Sequence, residues 1–216
     1  MRILFDLIDK KITVEEAALK AANDDEVLAE LLEGLLSKKD KIRFNSYQVL
    51  LLISETNPEV LYSKWDFLGE FLDSDNHYRR YIAINLLANL VKADTENKFE
   101  KIFDRYFSNI TGDRTMVAGQ AALNAGKVAK AKPNLQAKIT DILLKIDQIH
   151  QGKQTELMKA HAIEAFNSYF EEAKNKEKIF DFVKAQLESE SPKTRKVAKE
   201  FFKKWQDDKI NMELLS

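Results

Sequence analysis

One pattern recurs five times along the chain, and it leaves few folds open. Taking Arg43, Arg80, Ala118, Lys159 and Arg195 as anchors, successive copies are 37, 38, 41 and 36 residues apart. Three residues after each anchor stands a small residue: Ser46, Ala83, Ala121, Ala162 and Ala198. Seven after stand Leu50, Leu87, Ala125, Phe166 and Phe202, and ten after stand Ile53, Leu90, Val128, Tyr169 and Trp205. Offsets of three, seven and ten share one face of an α-helix. A second apolar set with helical spacing precedes each anchor, for example Leu28, Leu31 and Leu35, or Phe99, Ile102, Phe103 and Tyr106. The unit is therefore helix, short turn, helix. A lone unit cannot cover its own apolar face, so the pattern predicts stacking of neighbours.

The punctuation agrees with an all-helical chain. There are 6 glycines and 3 prolines in 216 residues, too few for a fold rich in tight turns. The prolines follow Asn57, Lys132 and Ser191, where helices are expected to begin. Thr13 and Glu16 have the spacing of a capping box, and Asp24 stands where a helix cap is wanted. The expected organisation is a single domain over residues 1–216. Residues 1–23 form an N-terminal helical cap, 24–208 form five helix pairs, and 209–216 form a tail carrying Met212, Leu214 and Leu215.

In the second helix of each unit the sequence resembles the HEAT repeats. Asp73-Ser74-Asp75-Asn76-His77-Tyr78-Arg79 is similar to the Asp-rich turn, apolar residue and Arg that open that family's second helix. Ile42-Arg43 and Thr194-Arg195 resemble it as well, whereas the units at Ala118 and Lys159 depart from the Arg. The resemblance spans roughly residues 24 to 208. It implies a right-handed α-α superhelix, a HEAT-like solenoid whose second helices line a concave binding face.

Several chemistries have no support. Without cysteine there is no thiolate catalysis, disulfide or Cys-bound zinc. The glycines form neither a P-loop nor a dinucleotide fingerprint, and the metalloprotease and hydrolase signatures are missing. His77, His150 and His161 lie in or near different units, which disfavours a shared metal site. The turn from Asp73 has Tyr78 and Ile84 where a calcium loop needs Gly and Glu. Trp65 and Trp205 sit in packing registers, not in a base-stacking array. No enzyme and no cofactor are expected. No apolar run reaches the length of a membrane span, and a cytoplasmic protein is expected.

Interaction is the leading expectation, with an unidentified protein or peptide along the second helices. Positions one and five after each anchor would face it: Phe44 and Gln48, Tyr81 and Asn85, Gly119 and Leu123, Ala160 and Glu164, Lys196 and Glu200. Exposed aromatics often anchor interfaces, which singles out Phe44 and Tyr81. The alternative is DNA binding or repair, by resemblance to the HEAT-like alkylpurine DNA glycosylases. It would place Arg43, Arg80, Lys127 and Arg195 on phosphates. A net charge of −1 disfavours nucleic acid. One local excess stands out: Arg114, Lys127, Lys130, Lys132 and Lys138 face only Asp113 between Gly112 and Lys138, while residues 1–40 are acidic. The small, glycine-bearing stretch from Ala118 to Ala129 is expected to serve close helix packing, with a shallow groove floor as the other reading.

Overall fold

A computed structural model describes residues 2–112 and 114–205. The expected tail, and Asp113, lie outside the described residues. All regular structure among the described residues is helical. The chain divides into two compact units, one ending at Phe99 and one beginning at Glu100.

The N-terminal unit opens with α1 (Arg2–Ile8) and α2 (Val14–Asn23). The capping box is present: Glu16 N donates to Thr13 Oγ1 at 3.2 Å, and Thr13 N donates to Glu16 Oε2 at 2.8 Å. Asp24 then caps α3 (Asp25–Gly34) through the amides of Glu26 and Val27. Next come α4 (Asp40–Thr56), α5 (Glu59–Tyr62), α6 (Trp65–Gly69), a 3-10 turn, and α7 (His77–Leu90). The apolar residues Val60, Leu61, Trp65, Leu68, Phe71 and Leu72, whose helical spacing predicts the first helix of the unit anchored at Arg80, are thus divided among short pieces. Lys64 leaves helical geometry at φ −99° and ψ 12°. The break seats Trp65 in the core, edge-on to Tyr62 and Phe99 at 5.8 and 6.4 Å. Asp94 closes this unit by accepting from Lys98 N, Phe99 N and the Tyr62 hydroxyl at 2.8, 3.0 and 2.8 Å. It thereby starts α8 (Lys98–Thr111).

Beyond Glu100 the elements are α9 (Thr115–Ala131), α10 (Gln136–Leu144), α11 (Ile146–Ile149), α12 (Thr155–Tyr169), α13 (Lys176–Ala185) and α14 (Pro192–Lys204). Ser191 caps α14 ahead of Pro192, as its sequence predicts. The other two prolines differ. Pro58 stands just before α5 without a side-chain cap from Asn57, and Pro133 lies in the turn before α10. In each unit the anchor-bearing helices pack on one another, α4 on α7, and α9 on α12 on α14. In the C-terminal unit α10 also packs on α13.

The predicted register holds at the level of burial. Ser46, Ala83, Ala121, Ala162 and Ala198 are all fully buried. Their small size lets another helix come close. A Cβ on Gly34 of α3 would fall 2.0 Å from Ser46 Oγ, so α3 crosses α4 where both side chains are minimal. The seven-after position is buried in four copies and half-buried at Phe202. α9 and α12 also approach closely. A Cβ on Gly126 would meet the Ala165 carbonyl oxygen at 2.6 Å and the Ala165 Cα at 2.9 Å. The glycine-bearing stretch of α9 therefore serves helix packing.

Candidate interaction surfaces

The first turns of α4 and α7 carry an aromatic edge in the N-terminal unit. Tyr47 is nearly buried and meets Tyr81 edge-on, with ring centroids 5.8 Å apart. Burial pushes the Tyr47 phenol up, and the nearby Tyr81 hydroxyl adds to the shift. One helical turn earlier, the Arg43 guanidinium lies over the Tyr78 ring at 5.1 Å from its centroid. Arg43 is itself fixed: Nη1 donates to the Ser37 carbonyl at 3.0 Å, and Nη2 pairs with Asp40. His77 packs beside Tyr78 at 4.4 Å. Two rings of these first turns remain open to solvent, Phe44 at 60% and Tyr78 at 48% exposure. Phe44 and Tyr47 are three residues apart, as are Tyr78 and Tyr81, so each pair shares a helix face.

The sequence-derived positions divide accordingly. Phe44 is exposed, and Gln48 and Tyr81 are half-buried. Asn85 is buried, with Nδ2 donating to the Tyr81 carbonyl at 2.8 Å, so it steadies α7 from within. Tyr78 escapes the offsets of one and five because it precedes its anchor. Its spacing of three from Tyr81 is the signal that would have found it.

In the C-terminal unit Gly119 and Glu164 meet around His161. Gly119 is buried, and a Cβ there would lie 3.0 Å from the His161 ring, so the glycine leaves room for the imidazole. His161 Nδ1 is 3.1 Å from Glu164 Oε2, and Lys193 Nζ is 3.5 Å from Glu164 Oε1. The His161 hydrogen bond holds the Glu164 carboxyl below the usual range, with Lys193 assisting. Leu123 is half-buried and Ala160 fully buried. Lys196 is exposed, 3.8 Å from Glu200 on the next turn. Gly119, Ala160 and Asn85 thus offer no side chain to a partner, because adjacent helices cover those offsets.

The remaining polar and aromatic features are built into the fold. Arg195 repeats the geometry of Arg43, with Nη1 donating to the carbonyl six residues back, that of Ser189. Lys159 reaches back to Asp147 and Glu156 at 3.7 and 2.6 Å. Arg43, Lys159 and Arg195 thus tie α4, α12 and α14 to the segments before them. Within the basic stretch, Lys132 is buried and pairs with Glu100 at 3.4 Å, and Lys138 pairs with Asp104 at 2.9 Å. The acids of α8 thus offset part of that charge. Trp65 is buried, and Trp205 packs on Phe170 while Nε1 donates to Asn167 Oδ1 at 2.8 Å. His150 is buried, with Nδ1 3.0 Å from the Ile110 carbonyl. Among the described residues, no group of three His, Asp or Glu side chains is placed to hold a metal ion. None of the described helices is long and apolar enough to cross a membrane.

No protein-family model matches the chain, and neither a curated protein nor a solved structure matches it significantly.

Proposed function

We propose that the chain is a non-enzymatic interaction module, a single HEAT-like solenoid of helix pairs that binds a protein or peptide along its second helices. The observation that carries this is the aromatic edge of α4 and α7. Phe44 and Tyr78 stand open to solvent on the first turns of two packed helices, where Arg43 lies over the Tyr78 ring and Tyr47 meets Tyr81 edge-on. The Tyr78 ring, packed against Arg43 and His77, loses little freedom on binding, and aromatic anchors carry much of the energy of protein interfaces. The recurring anchor geometry and the packing of α9, α12 and α14 support repeated stacking as the architecture. Against nucleic acid weigh the arginines of the anchors. Arg43 and Arg195 spend donors on backbone carbonyls instead of presenting a full fork to phosphate.

The test is affinity capture from native lysate, with and without nuclease, using the wild type and a Phe44→Ala/Tyr78→Ala double variant. A stoichiometric protein that survives nuclease and is lost from the double variant is the expected result. Phe44 is 60% and Tyr78 48% exposed, and Tyr78 gives up only a surface contact with Arg43, so melting temperatures should agree within about 4 °C. A partner retained equally by the double variant refutes the aromatic edge as the binding face. Capture that collapses with nuclease refutes the protein-binding reading altogether.

A further inference from the structure

The cationic anchors do not share one fate. Arg43, Lys159 and Arg195 are each held by an acceptor in the segment before their helix. Arg80 makes no hydrogen bond or ion pair with any described residue, and its Nε is buried without an acceptor. The residue is half-buried, so its neck is enclosed while the two terminal nitrogens reach solvent. A guanidinium held this way has already lost part of its hydration and of its rotamer freedom. Meeting an acceptor therefore costs it less than it costs a fully hydrated lysine.

Arg80 also continues the aromatic edge. Arg43 of α4 reaches the Tyr78 ring, so Tyr78 stands on the side of α7 next to α4. At about 100° per residue, Tyr81 projects between Tyr78 and Arg80, and Arg80 lies on the far side. On α4, Lys41 and Phe44 share a face at a spacing of three. Lys41 is exposed and makes no ion pair with any described residue. A segment crossing α4 and then α7 thus meets Lys41, Phe44, Tyr78, Tyr81 and Arg80 in that order. Local charge leans the same way. Residues 37–45 and 73–81 hold six Lys or Arg against three Asp, and Asp40 already pairs with Arg43. Asp73 and Asp75, on the turn into α7, would repel a chain of phosphates, so separate carboxylates among apolar residues fit better.

We infer that the partner segment bound by the aromatic edge is acidic at both ends: one carboxylate meets the open fork of Arg80, a second meets Lys41, and apolar side chains between them seat on Phe44, Tyr78 and Tyr81. This rests on the protein-binding reading of the aromatic edge and names the chemistry of its ligand. Packed helices lie about 8–10 Å apart, and the outward side chains add about as much again. The two acids are therefore separated by roughly four to six extended residues.

The experiment selects random peptides displayed on phage against the immobilised full chain, in parallel with Phe44→Ala/Tyr78→Ala, Lys41→Gln and Arg80→Gln. The wild type should recover peptides in which two acids flank an aromatic or aliphatic core. Each glutamine variant should recover the same core with one of the acids no longer enriched. The best peptide, labelled with fluorescein and read by anisotropy, should lose at least about tenfold in affinity on Arg80→Gln. Replacing its own acid by glutamine should cost as much, and the two changes together no more than either alone. Arg80→Lys should restore only part of the loss, because lysine lacks the planar fork. Arg80→Gln removes a donor that has no acceptor, so its circular dichroism should match the wild type. Peptides that need Phe44 and Tyr78 but show no enrichment of acids, or bind Arg80→Gln as tightly, overturn this inference and leave the aromatic edge standing. So do additive losses in the paired substitutions, or enrichment of lysine and arginine. Recovery of no peptide that depends on Phe44 and Tyr78 refutes the edge itself, and this inference with it.

Discussion

Replacing Gly126 by alanine sets two effects of opposite sign against each other. Alanine is favoured over glycine inside a helix by about 1 kcal/mol. At position 126, however, the new Cβ would sit 2.6 Å from the Ala165 carbonyl oxygen and 2.9 Å from its Cα. Both atoms belong to the backbone of α12, so no rotamer change relieves the clash. Either α9 and α12 separate until the contact reaches at least 3.4 Å, or one of them bends. Overpacking of this kind costs about 1–3 kcal/mol, and more where backbone must move. Separation would also loosen the buried rows at Ala122, Ala125, Ala162 and Ala165 along the two helices. The net expectation is a loss of about 1–2 kcal/mol. For a chain of this size that lowers the melting temperature by roughly 2–8 °C. Gly69→Ala is the matched control, since a Cβ there meets nothing within 4 Å. It should gain a few tenths to about 1 kcal/mol by restricting the unfolded chain. Thermal unfolding followed by far-ultraviolet circular dichroism reads both. If Gly126→Ala raises the melting temperature as Gly69→Ala does, the close approach of α9 and α12 is wrong.

Two further substitutions probe the polar network. Asp94→Ala removes the acceptor for two amides of α8 and for the Tyr62 hydroxyl, and should destabilise by about 1–2 kcal/mol in urea titration. An unchanged midpoint would show that this cap contributes nothing. The Glu164 carboxyl is held below its usual value of 4.5, so its stabilising contribution is complete above that pH and is lost as pH falls further. Glu164→Gln should therefore lower stability at neutral pH and flatten its decline below pH 4.5, as read from melting temperatures across an acid series. Parallel declines in the two proteins would refute the assignment.

The sequence alone determined that the chain is helical and which faces of its long helices are buried. The five small positions from Ser46 to Ala198 are buried, and Thr13, Asp24 and Ser191 cap the helices they precede. These features depend on residues within a turn or two of one another, so periodicity along the chain reports them directly. The candidate surface was legible only in part. Phe44 is exposed, Tyr78 is exposed but lies outside the expected offsets, and Asn85 and Gly119 are covered. Exposure on a helix is decided by what packs beside it, and that neighbour lies far away in sequence. The same holds for charge. Lys132 and Lys138 lose their freedom to Glu100 and Asp104, residues on another helix. Glycines 69, 119 and 126 read alike as letters, yet one faces open space, one a movable imidazole and one a fixed backbone. Only the tertiary structure separates them, because steric cost depends on the distance and stiffness of atoms contributed by other helices.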